Sequence, residues 1–83
     1  MAKYRRKAVD VDALQWSGSN WHSMLEFLDW DRGIKVHTDD DQLVFDDDRR
    51  ALPKDWVVVL SDGRFSIVGD IYFNDEYEEV KSD

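Results

Sequence analysis

Apolar and polar positions alternate near the start of the chain. Val9, Val11 and Ala13 fall on one side of an extended segment and Asp10 and Asp12 on the other, the period-two signature of a half-buried strand over 7–16. Leu14 and Trp16 fall on the side of the aspartates. The strand therefore either ends there or carries a bulge that re-aims its last residues inward. The period then changes. After the turn Ser17-Gly18-Ser19-Asn20, Trp21, Met24, Leu25 and Leu28 recur at i, i+3, i+4 and i+7, which predicts a helix over roughly 20–31 with one apolar stripe. Ser19 or Asn20 can cap its start, and Gly33 can stop it in a left-handed conformation. Phe27 lies at the edge of the stripe and Trp30 about half a turn away.

Strand patterns fill the second half. Ile34–Thr38 alternates, Gln42–Phe45 is short and β-prone, and Trp56–Leu60 is a continuous β-branched run suited to a central strand. Asp39-Asp40-Asp41 is the tip of a first hairpin, and Asp62-Gly63 a two-residue turn leading to Phe65–Val68. Residues 69–76 are ambiguous, with one helical turn starting at Asp70 as one reading, and Tyr77–Val80 reads as a last short strand. The sum is a single α+β domain over 1–83: one amphipathic helix packed on a mainly antiparallel sheet of five or six short strands.

Composition narrows the class. The 83 residues carry 11 basic and 19 acidic side chains, a net charge of −8, with 13% aromatics and no cysteine. Disulfides and thiolate chemistry are excluded, and the aromatic content is too high for a disordered tail. No apolar run spans a bilayer and no apolar stretch follows the basic residues 3–7, so the expected setting is intracellular.

Candidate chemistry is sparse. The triplets Asp39-Asp40-Asp41 and Asp46-Asp47-Asp48 lack the spacing that converges oxygens on calcium, so neither a metal nor a cofactor is expected. They read instead as solubilising turn charges, or as phosphate mimics for a basic groove. Ser19, His22 and Asp29 can be assembled on paper into a hydrolytic set, but no motif places them together, and His37 reads as a surface strand residue. Trp16, Trp21 and Trp56 fall at core positions. Trp30, among Asp29, Asp31 and Arg32, is either a lid on the helix end or an interface anchor.

Spaced features extend over nearly the whole chain: Tyr4-Arg5-Arg6-Lys7 before Val9-x-Val11-x-Ala13-x-Gln15-Trp16, then Asn20-Trp21, Met24-Leu25-x-Phe27-Leu28, Pro53-x-Asp55-Trp56-Val57-Val58, Gly63-x-Phe65, Asp70-Ile71-x-Phe73 and Tyr77-Glu78-Glu79-Val80. Their order and spacing resemble a family of short proteins of tailed bacteriophages and prophages. Two positions depart from that pattern. Lys54 stands where the family has glycine, so the turn there is not expected to need a positive φ, and Val68-Gly69 replaces a Lys-Pro pair.

The resemblance implies a phage accessory protein of the host bacterial cytoplasm and brings no catalytic residues. The resulting expectation is a non-enzymatic protein that binds a host protein through Trp30, Asp39, Asp40, Asp41, Asp46, Asp47 and Asp48, with no direct nucleic-acid or membrane contact and with homo-oligomers compatible. The alternatives are a binder of a signalling nucleotide, with Arg5, Arg6 and Lys7 lining a basic pocket at a dimer interface, and an acidic nucleic-acid mimic.

Overall fold

The chain has α+β architecture, with its strands divided between two antiparallel sheets. In a computed structural model, the backbone is described for residues 2–6 and 9–79 and the side chains for 11–78. The strands are β1 (Ala2–Arg6), β2 (Val9–Gln15), β3 (Val36–Asp39), β4 (Gln42–Phe45), β5 (Arg50–Ala51), β6 (Trp56–Val59), β7 (Phe65–Val68) and β8 (Glu78–Glu79). One sheet has the order β7-β6-β2-β1-β8 and the other β3-β4-β5. The expected single sheet is thus corrected to two, and a second helix, α2 (Asp70–Glu76), joins the first. The run at 56–59 is central, as its β-branched character predicts, between β7 and β2. The basic segment 3–6 is no sheet edge, since β1 lies between β2 and β8.

The two sides of β2 resolve the ambiguity at Leu14 and Trp16, because the larger sheet is covered on both faces. Ala13 pairs with Val58, and these two join Val11 and Phe73 in a small core under α2. Leu14 pairs with Val57 one residue on, facing the larger core of Trp16, Met24, Phe27, Leu28, Leu43, Phe45, Ala51, Val57 and Val59. Neither a bulge nor an early end is needed. Asp12, expected on a solvent face, pairs with Val59 and makes a 2.5 Å ion pair with Arg32.

The first helix departs from its predicted stripe. Helix α1 (Trp21–Leu25) runs into a π-helical turn over Glu26–Trp30, closed by the Asp31 N–H donating back to the Glu26 carbonyl. Met24, Phe27 and Leu28 are buried, whereas Trp21 and Leu25 are only half-buried. Met24, Phe27 and Leu28 themselves stand at i, i+3 and i+4, so two overlapping stripes share Met24 and Leu28. Packing on β4 and β6 selected the one containing Phe27. Gly33, at φ +69, ends the helix as predicted. Asn20 does not cap it with its side chain. Its carboxamide turns back to Ser17 and to the Gln15 carbonyl.

Backbone strain collects in the turns. Leu52-Pro53-Lys54-Asp55 is closed by the Asp55 N–H on the Leu52 carbonyl, with Lys54 at φ +82. This is a type II turn with a non-glycine residue at its left-handed corner, so the expectation that Lys54 removes the need for positive φ is overturned. The turn is held from outside: Lys54 N–H donates to Trp16 O, Trp16 N–H to Asp55 O, and Gln15 Nε2 to Lys54 O. Lys54→Gly should therefore raise stability by about 1 kcal/mol, the relieved strain exceeding glycine's extra unfolded-state entropy. Unchanged or lower stability in urea denaturation would show that the corner carries no strain.

Candidate protein-binding surface

Two hairpins share one design. In each, a residue bonds across a three-residue loop: Phe45 N–H to Arg49 O around 46–48, and Leu60 N–H to Arg64 O around 61–63. The third loop residue is left-handed in both, Asp48 at φ +69 and Gly63 at φ +89. Asp62-Gly63 is therefore not the two-residue turn expected from sequence, since only the glycine takes positive φ. The middle carboxylate, Asp47 or Asp62, accepts from the backbone N–H and the guanidinium Nε of the arginine two residues on. Those amides, and then the guanidinium groups, hold both carboxyls below the ordinary aspartate range.

Lowered folded-state values give a stabilising contribution present at neutral pH. It is lost as acid takes the pH below the ordinary aspartate value and through the lowered one. Asp47→Asn and Asp62→Asn together should flatten the acid limb of a stability–pH curve. An unchanged acid limb in the double variant would remove these turns as its source.

The aspartate triplets do not form one acidic patch. Asp40-Asp41 closes the β3–β4 hairpin, where Asp39 pairs with Gln42, while 46–48 closes the β4–β5 hairpin at the other end of β4. Four residues of strand separate the two turns, a span of roughly 13 Å. The first triplet lies beside the core tryptophan, whose indole N–H donates to Asp41 O at 2.8 Å, and Asp39 is paired with Arg50. The second lies on the side where the first helix ends. Asp46 and Asp47 share a groove of about 240 Å³ with Ile34, Lys35, Phe45 and Phe65, and Lys35 is ion-paired to Asp29.

Trp30 is 59% exposed on the helix's outer face, where His22, Glu26 and Asp31 are also exposed. The His22 ring meets it edge-on at 5.2 Å, two turns back along the helix. The paper triad comes apart: Ser19 bonds Ser17, His22 meets Trp30 and Asp29 holds Lys35. Among the described residues, no three His, Asp or Glu side chains gather as a metal site would require. The side chains of Arg5 and Arg6, and Lys7 altogether, lie outside the described residues.

Sequence reasoning missed the groove, and it offered the second helix, starting at Asp70, as one reading of an ambiguous segment. Phe65 stacks on Phe45 at 4.5 Å, with the Arg49 guanidinium 4.0 Å over its ring. On α2, Ile71 is 89% and Tyr72 49% exposed, while Phe73 is buried between Trp56 and Tyr77. Asp70 anchors this helix, its Oδ1 accepting from Gln15 Nε2, Trp56 Nε1 and Asn74 Nδ2. The spacing Asp70-Ile71-x-Phe73 was the available signal, and its reason is visible only in three dimensions.

Comparison with known proteins adds no relative: no protein-family model, no curated protein and no solved structure matches the chain. No helix among the described residues is long and apolar enough to cross a membrane.

Proposed function

We propose that the chain is a non-enzymatic binding module that engages a basic surface of another protein, with Trp30 as the anchor and acidic groups around it. The exposure of Trp30 carries the reading: a large aromatic stands 59% open on a helix face bearing Glu26 and Asp31, on a chain of net charge −8. Aromatic side chains of this kind supply most of the affinity at contact centres, whereas surrounding carboxylates mainly steer a cationic partner into encounter. Of the two triplets, 46–48 lies nearer the helix end and is the one assigned to steering. The resemblance to phage proteins suggests the setting, the cytoplasm of an infected bacterium, where the partner would be a host protein. A signalling-nucleotide binder is the weaker reading, because the chain is acidic and its sequence has no Gly-rich phosphate loop.

Affinity capture from bacterial lysate supplies the partner, and surface plasmon resonance then tests the face. Trp30→Ala should raise the off-rate and weaken binding by about 2 kcal/mol or more. Asp46→Asn with Asp48→Asn should slow association, with the difference shrinking at high salt. Unchanged rates in all variants, with melting curves intact, would move the contact to another surface.

A further inference from the structure

Strand β3 is an open edge whose free groups specify one way of pairing. It is the outer strand of the β3-β4-β5 sheet, and His37, Thr38 and Asp39 on it are exposed. Phe45 N–H donates to Arg49 O, so the Phe45 backbone faces β5 and turns away from its β3 partner, Val36. By the alternation of antiparallel ladders, Val36 and Thr38 then point their own N–H and C=O groups away from β4, while His37 and Asp39 point theirs toward it. One step earlier, the Ile34 amide is already used on Leu28 O. The outward-facing groups of the edge are therefore those of Val36 and Thr38.

We propose that β3 is a self-association edge, on which two copies of this chain pair their β3 strands antiparallel about a two-fold axis at His37. Only that register uses every outward group, since Val36 of each copy faces Thr38 of the other and each such pair exchanges both N–H···O bonds. Centring the axis on Val36 would call on Ile34, whose amide is taken. Centring it on Thr38 would call on Asp40, which sits left-handed in the turn at φ +55.

The side chains agree with the register that the backbone selects. With the axis at His37, Lys35 of each copy stands opposite Asp39 of the other, an opposite-charge cross-strand pair formed twice. The neighbouring registers set Lys35 against His37, or His37 against Asp39. Within one chain Lys35 pairs with Asp29 and Asp39 with Arg50, all four at partly or well exposed side chains, so the cross-copy pair would share or replace these surface contacts. Joining the two edges removes the exposed ladder that otherwise invites open-ended pairing.

Sedimentation velocity over protein concentrations up to about 1 mM tests this. The 9.8 kDa chain should form a dimer as concentration rises, and the Val36 and Thr38 amides should gain hydrogen-exchange protection in step. Thr38→Pro removes an outward N–H without touching the β3–β4 ladder, so the fold should survive and the dimer be lost. Should that variant fail to fold, the charge variants decide.

Lys35→Glu should weaken self-association roughly tenfold by setting like charges opposite each other. Lys35→Asp combined with Asp39→Lys should restore it. That rescue runs against the effects within each copy, where Asp39→Lys meets Arg50 and Lys35→Asp meets Asp29. A wild-type monomer throughout the range overturns the proposal and leaves the edge to an extended segment of another protein or to none. A dimer unaffected by Thr38→Pro, or double-variant association no stronger than that of Lys35→Glu, overturns it as well.

Discussion

Phe27→Ala is expected to be the most damaging single truncation in the larger core, costing about 3–5 kcal/mol. Phe27 is 1% exposed and sits among Met24, Leu28, Phe45 and Trp16 in one cluster. Its carbonyl accepts from Arg32 Nη1 at 2.8 Å, and the same guanidinium lies 4.5 Å over its ring while bonding Asp12. Removing the ring thus opens a cavity and also withdraws the surface that positions the link between the helix and β2. In a domain of this size the loss corresponds to a melting shift on the order of 15–30 °C. Leu25→Ala is the informative control. Sequence spacing puts Leu25 in the stripe and Phe27 at its edge, but Leu25 is only half-buried, so its truncation should cost about 1–2 kcal/mol. Equal losses in thermal denaturation of the two variants would mean that the stripe is centred as the sequence alone suggests.

The second large effect is expected at the other face of the sheet. Phe73→Ala should cost about 3 kcal/mol and release α2. That helix has seven residues, too few to persist without tertiary contacts, and Phe73 is its one buried side chain. The ring stacks on Trp56 at 3.8 Å and on Tyr77 at 4.7 Å, filling the small core with Val11, Ala13 and Val58. Trp56 would remain bonded to Asp70 only while α2 stays docked. The variant should therefore show loss of helical circular dichroism together with a red shift of tryptophan emission. Phe73→Leu keeps much of the volume and should retain most of both signals. A Phe73→Ala variant as stable as wild type would show that the face under α2 contributes no core.

How far the sequence reached depended on the range of the interaction that decides each feature. The first helix, its stop at Gly33, the β3–β4 hairpin at Asp40-Asp41 and the central place of Trp56–Val59 follow from side-chain period and turn chemistry over a few neighbouring residues. These were legible. Short strands are different: Arg50–Ala51 has no period of its own and exists because Ala51 fits against Leu43 in the core. Asp70–Glu76 is too short for its period to decide between a helical turn and other readings, and is helical because Asp70 and Phe73 have partners on β2 and β6.

The same division holds for the surface. The sequence marked Trp30 as a residue outside the apolar stripe, and the helix geometry leaves it exposed. It also marked both aspartate triplets, but placing them at opposite ends of β4 required the strand pairing. Lys54 shows the limit most directly. Its side chain predicts an ordinary backbone, yet its N–H donating to the Trp16 carbonyl and the Gln15 carboxamide donating to its own carbonyl hold it at φ +82. Local chemistry determined which elements this chain can form. Burial on both faces of one sheet decided which side chains they bury, which they leave to solvent, and which edge stays open.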